Sequence, residues 1–284
     1  MTLSRPEVLR LLAENDISPS RALGQNFVAD PNTVRRIARL AGVSAGDRVL
    51  EVGAGLGSLT LALAETGASV TAVERDHRLV PVLRKVLAER APVPVEVVEG
   101  DAMTLDWATV LVPPTGWALV ANLPYNVATP LVADLLDGVP AIERMLVMVQ
   151  HEVARRLVAG PGSSDYGAVS VKVAYWAEAA LLGTVPSSVF VPRPKVGSAL
   201  VSLRRRPAPA VDPGVVAPEA LFRLVRSGFA QRRKMLRRAL AGLNLPPGAY
   251  DAAGVDPESR AEELSVTDWG RLAAVMAGVE APGR

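Results

Sequence analysis

The chain contains no cysteine. Disulfides and thiolate-bound zinc are thereby excluded, and a reducing compartment such as the cytoplasm is expected. Histidine occurs only at His77 and His151, far apart in sequence. That leaves no spacing for a structural zinc site and no recognisable Ser/His/Asp triad, so no metal site is expected. Aromatic residues make up only 4% of the chain, and aliphatic residues and Ala dominate. No uninterrupted apolar run is long enough to span a bilayer, so no membrane partner is expected. Residues 1–16 mix charges among their apolar positions and lack a cleavage-like tail, which argues against a signal peptide. There is no internal repeat.

What is present suits one large or two modest domains in 284 residues. The formal charge is only +2, and most of the cations are Arg. Arg favours planar contacts with phosphates and bases.

Asp47-Arg48-Val49-Leu50-Glu51-Val52 reads as a buried strand. Gly53-Ala54-Gly55-Leu56-Gly57 follows at once, and Ser58 opens a helix. A strand, a glycine turn and a helix start together suit a nucleoside-bearing ligand, because glycine lets the backbone approach closely. Ser58 stands where a dinucleotide fingerprint wants Gly. By itself the turn serves a ligand loop or a tight turn equally. The next strand, Ser69 to Val73, ends in Glu74, placed to bond both hydroxyls of a ribose. A third strand, Val95 to Val98, runs into Gly100-Asp101, where Asp101 accepts from an adenine amine or caps a turn. Upstream, residues 21–31 form a polar loop that is either a surface loop with Phe27 tucked into the core or a lid that lays Gln25 and Asn26 over a ligand.

The strand Trp117-Ala118-Leu119-Val120 ends in Ala121-Asn122-Leu123-Pro124-Tyr125-Asn126. An Asn oxygen and a backbone carbonyl there accept from an exocyclic amine, while Tyr125 stacks on the base that carries it. Pro124 removes one backbone donor and stiffens the turn. Phe190, in a Pro-punctuated loop, either faces Tyr125 and completes a sandwich around the base or packs in the core; the residues leave both open. Val169 to Trp176 is helical or extended; periodicity leaves both open. Residues 207–218 read as a linker. Beyond it the pattern is helical, with the cationic run Gln231-Arg232-Arg233-Lys234-Met235-Leu236-Arg237-Arg238 placed on a helix as a solvated face or a phosphate-contact surface.

In this order the motifs resemble the ribosomal RNA adenine dimethyltransferase family over nearly the whole chain, and its small-subunit branch most. The stretches that carry the resemblance are Leu23-Gly24-Gln25-Asn26-Phe27, Glu51-Val52-Gly53-Ala54-Gly55, Asn122-Leu123-Pro124-Tyr125-Asn126, Arg156-Leu157-Val158-Ala159-Gly160-Pro161, Val191-Pro192-Arg193-Pro194-Lys195-Val196 and Phe229-Ala230-Gln231-Arg232-Arg233-Lys234. The resemblance implies an α/β fold. Its first part is a doubly wound, Rossmann-like sheet at 1–207 that binds S-adenosylmethionine, lid included. Its second is a small all-helical domain at 208–284 that binds RNA or the ribosome. It also implies dimethylation at N6 of two adjacent adenosines near the 3′ end of small-subunit rRNA, within an immature 30S subunit, by a monomer. Carried over by position, cofactor contacts fall on Asn26, Val28, Gly53, Glu74, Asp101 and Asn122. Asn122, Leu123, Pro124 and Tyr125 handle the base, with Phe190 as second stacking partner. Val28 departs from the family's usual Leu, and His151 from its usual Lys. Rival readings are large-subunit methylation, methylation of DNA adenine or protein glutamine, and a role mainly as an assembly factor.

Overall fold

The computed structural model describes residues 2–278. Among the described residues nine strands form: β1 (Phe27–Val28), β2 (Arg48–Val52), β3 (Ser69–Glu74), β4 (Val95–Glu99), β5 (Trp117–Asn122), β6 (Ile142–Gln150), β7 (Ala177–Val185), β8 (Phe190–Val191) and β9 (Ser198–Arg205). Seven of them make one sheet in the order β4-β3-β2-β5-β6-β9-β7. β2 pairs in parallel with both β3 and β5, and β6 pairs antiparallel with β9. The chain therefore builds outward from β2 through β3 to β4, then returns to β5 and builds the other way. The reversal between β2 and β5 opens a crevice at the carboxyl ends of these strands, where doubly wound sheets bind ligands. β1 and β8 form a separate antiparallel pair, Phe27 opposite Val191 and Val28 opposite Phe190.

The helices are α1 (Arg5–Glu14), α2 (Pro31–Ala41), α3 (Ser58–Ala64), α4 (Leu79–Arg90), α5 (Trp107–Val110), α6 (Ala128–Gly138), α7 (His151–Val158), α8 (Ala168–Trp176), α9 (Pro218–Ala230), α10 (Leu236–Ala239), α11 (Ala249–Ala253) and α12 (Val266–Met276). α2 shows why such segments begin and end where they do. Asp30 accepts the Thr33 N–H as N-cap, Pro31 fills the first turn, and Gly42 closes the helix in the left-handed region at φ 59°. Its Val34 and Ile37 are buried, while Leu40 is 40% exposed and not part of that face.

The chain divides into two compact units, residues 1–154 with 180–204, and residues 155–179 with 205–284. In the first, Leu50, Leu61, Leu63, Leu119 and Val147 are fully buried. The second packs Tyr166, Tyr175, Leu224, Leu236, Trp269 and Leu272 into its own core. The composition shift near Pro207 accompanies only the last of the three divisions; those at 154 and 179 carry no such signal.

One open reading is settled and two local expectations change. Residues 168–176, ambiguous by periodicity, are the helix α8. The 207–218 stretch is not a free linker: Val211 and Val216 are buried in the second unit's core, and Ala210 donates its N–H to the Tyr175 carbonyl. The cationic run does not lie on one helix. α9 ends at Ala230, residues 231–235 turn, and only Leu236–Ala239 is helical again. Within that run Arg232 pairs with Glu262 and Arg237 with Glu258, while Arg233, Lys234 and Arg238 are exposed.

Candidate active site

A cleft of about 1060 Å³, the open solvent at its mouth included, lies at the β2/β5 reversal. Its lining unites segments distant in sequence: the lid from Leu23 to Val28, the glycine turn, Glu74 with Arg75, the turn from Gly100 to Met103, and the box from Asn122 to Val127. Asn26, Val28, Gly53, Glu74, Asp101, Asn122, Leu123, Pro124 and Tyr125 all line it. Alternation along the strands explains little of this. Gly53, Glu74, Asp101 and the box converge because each lies at or just past the carboxyl end of a strand in one sheet, and the lid segment around β1, which belongs to the separate β1–β8 pair, brings Asn26 and Val28 to the same crevice.

The glycine turn is shaped by close contact. Gly53 and Gly55 adopt φ 78° and 60°, conformations costly for a residue with a Cβ. A Cβ at Gly55 would come within 2.9 Å of the Phe27 ring, so the lid aromatic lies directly on the turn. Glu74 ties this turn to the end of β3. Its Oε2 accepts the Gly55 N–H at 2.7 Å and its Oε1 accepts the Asp76 N–H at 2.8 Å. Burial pushes the Glu74 carboxyl up, and those backbone N–H groups oppose the shift. Each carboxylate oxygen retains further acceptor capacity for a ligand hydroxyl.

Glu51 lies beneath, only 1% exposed, and its carboxyl is pushed up to about 8. Burial is the main cause; the Thr60 hydroxyl opposes it and the Glu74 charge adds to it. Glu51 Oε2 and the buried Ser58 hydroxyl have no hydrogen-bond partner among the described residues. Both residues line the cleft. Asp101 is 3.2 Å from the Arg75 guanidinium and accepts the Met103 N–H at 3.0 Å.

The lid is held on several sides. Gln25 Nε2 donates to Asp76 at 2.8 Å, and its Oε1 accepts the Ser20 N–H at 2.7 Å. The Arg78 guanidinium, first among several donors, holds the Asp76 carboxyl well below the usual carboxylate range. Asn126 donates to the Ala22 carbonyl at 3.1 Å. Asn122 Nδ2 donates to the Asn26 carbonyl at 3.0 Å. The box itself is anchored to the sheet by the Leu123 N–H, which donates to the Met148 carbonyl at 3.1 Å.

Phe190 is the exception. It is fully buried, does not line the cleft, and does not face Tyr125 across it. Neighbouring strand residues point to opposite sides. In β8, Val191 enters one core cluster with Phe27, while Phe190 enters another with Val34, Ile37 and Leu200. The antiparallel pairing with β1, invisible in the local pattern, sets this orientation.

With this geometry in place, the comparison with known proteins is direct. The family model described as ribosomal RNA adenine dimethylase matches residues 18–277. The chain belongs to this family. Among the adenine dimethylase's relatives, ribosomal RNA small subunit methyltransferase A of Thermobifida fusca is 50% identical over 278 residues, covering 95% of each chain. The protein of the same name from Kineococcus radiotolerans is 50% identical over 282 residues, covering 97% of this chain and 92% of its own. Of solved structures, a dimethyladenosine transferase from Plasmodium falciparum superposes with a TM-score of 0.71 at 25% identity, covering 89% of this chain and 98% of its own. The 23S rRNA methyltransferase ErmE gives 0.67 at 29% identity, covering 88% and 99%.

For this dimethylase the sequence pointed to the glycine turn, the box, Glu74 and Asp101, and the cleft unites them. It gave no sign of the buried Ser198, whose hydroxyl meets that of Tyr125 at 2.7 Å from 73 residues away. Nor did it signal the Gln25–Asp76–Arg78 chain of hydrogen bonds. Only tertiary contact could reveal these.

Proposed function

We propose that this chain is a small-subunit rRNA adenine dimethyltransferase. It takes methyl groups from S-adenosylmethionine and places them on N6 of two adjacent adenosines near the 3′ end of the rRNA of an immature 30S subunit. One observation carries the reading: the Asn122-Leu123-Pro124-Tyr125 box and the glycine turn at Gly53 line a single cleft. The relatives named as small-subunit enzymes are 50% identical over nearly the whole chain, against 29% for the 23S enzyme ErmE. That difference favours the small subunit over the large.

The cleft fits the donor. Glu74 is oriented for ribose hydroxyls, and Asp101, 30% exposed, for an adenine amine. Gly53, with the backbone at Asn26 and Val28, allows close approach. The unpartnered Glu51 Oε2 and Ser58 hydroxyl at the cleft floor suit the polar amino-acid end. S-adenosylmethionine supplies an electrophilic methyl on a sulfonium centre, open to direct displacement by an amine.

The chain's own work is orientation. The N6 amine is a poor nucleophile because its lone pair is delocalised into the ring. Asn122 Oδ1 and a box carbonyl accept its two N–H groups, which favours a more tetrahedral nitrogen and aims the lone pair. Tyr125 holds the ring plane, and Pro124 keeps the carbonyl in place. No histidine lines the cleft. Positioning, rather than a strong base, supplies the acceleration.

The deciding experiment transfers labelled methyl from S-adenosylmethionine onto undermethylated small subunits and maps the modified nucleotides. Two adjacent dimethyladenosines are expected. Label on large-subunit RNA, or a monomethyl product only, overturns the reading.

A further inference from the structure

Among the described residues, two aromatic rings line the cleft, Phe27 and Tyr125. Phe27 is 8% exposed and lies against Gly55, and Phe190 is wholly buried elsewhere. Tyr125 is therefore the one half-exposed ring the cleft offers a flat ligand. Yet it sits on a turn, not on a strand or helix, between β5 and α6. A ring on a turn is free to rotate about two torsions unless something holds its far end.

Ser198 provides that hold. It is the first residue of β9, is 0% exposed, and lies opposite Gln150 of β6. Its hydroxyl oxygen is 2.7 Å from that of Tyr125. Burial pushes the Tyr125 phenol up while the Ser198 hydroxyl opposes the shift, so the pair bonds as two neutral hydroxyls. The backbone at the base of the same turn is tied to β6 as well, through the Leu123 N–H and the Met148 carbonyl. Both ends of the ring's support thus refer to the antiparallel β6–β9 pair.

We propose that Ser198 is a positioning residue for methyl transfer: it clamps the tip of the Tyr125 ring, so that the ring presents one rigid face to the flipped adenine. The proposal rests on the methyl-transfer reading above. A ring free to swing would still admit the base but would hold N6 less often in line. Turnover then falls while donor binding, made on the other side of the cleft, stays the same.

The test is a double-mutant cycle of Ser198→Ala and Tyr125→Phe on the full chain. It reads single-turnover methylation of undermethylated small subunits and S-adenosylmethionine affinity by calorimetry. Each single change removes the same hydrogen bond. Each is expected to slow transfer about tenfold, and the pair to slow it no more than the worse single variant. Donor Kd stays within about twofold in all three. Wild-type transfer with an unchanged rate in Ser198→Ala, or with the two losses multiplying in the double variant, overturns the clamp. Should Ser198→Ala fail to fold, Tyr125→Phe decides alone: it keeps the ring and lacks only the hydroxyl, and an unchanged rate there is equally fatal. Absence of methyl transfer by the wild-type protein instead overturns the underlying reading.

Discussion

Asn122 donates its amide N–H to the backbone carbonyl of Asn26 at 3.0 Å, a direct hydrogen bond between the box and the lid. The bond occupies the donor side of the amide and leaves Oδ1 to accept from substrate. Lid and box are therefore one unit, with Gln25 and Asn126 securing the lid's other contacts.

Replacing Asn122 by Ala removes both functions. Methyl transfer is expected to fall by roughly 10²–10³-fold, the scale seen when one preorganised polar group is lost from a reacting centre. S-adenosylmethionine affinity, held mainly by the glycine turn and Glu74, falls far less. Rates and Kd measured side by side check this; equal losses in both would mean that Asn122 only binds the donor.

Phe190 is fully buried in a core cluster and does not line the cleft. Phe190→Leu is expected to keep transfer within about threefold, because an aliphatic side chain of similar size preserves the packing. Phe190→Ala is expected to cost about 3–5 kcal/mol of stability through the cavity it leaves. Denaturant unfolding and single-turnover rates separate the two. A tenfold or greater loss in a well-folded Phe190→Leu protein would restore a stacking role.

Glu74 holds two backbone N–H groups and faces the cleft. Glu74→Gln puts an amide donor against one of those N–H groups. Donor affinity should weaken about 10–100-fold, in keeping with hydrogen bonds to a charged group, while the rate at saturating donor changes little. Calorimetry and saturation kinetics report the split.

Glu51 makes stability depend on pH. Its folded carboxyl, at about 8, binds a proton more tightly than the ordinary value of 4.5 allows in the unfolded chain. Between these values the folded state carries more protons, so stability falls as pH rises. It is highest, as far as this group goes, below the unfolded value, and the loss is complete above the folded one. Glu51→Gln abolishes this component. Thermal melts of the ligand-free protein from about pH 5 to about pH 9 should fall more steeply for the wild type, by a few kcal/mol at the upper end. Parallel curves would show that Glu51 ionises normally in the fold.

The amino-acid sequence alone determined the parts of this protein whose signals are local. A buried strand followed by glycines, an acid closing the next strand, and Asn122-Leu123-Pro124-Tyr125 after an apolar run are each legible within a few residues. Backbone sterics and strand ends act over that range. What tertiary structure decided depends on which strands pair. The β1–β8 pairing sends Phe190 into the core instead of the cleft. The start of β9 brings Ser198 to the Tyr125 hydroxyl. Burial among distant side chains, which no local pattern records, raises Glu51. The segment 155–179 joins the second unit although its composition matches its surroundings. Each of these outcomes is set by long-range packing, where propensity along the chain carries no information about the partner.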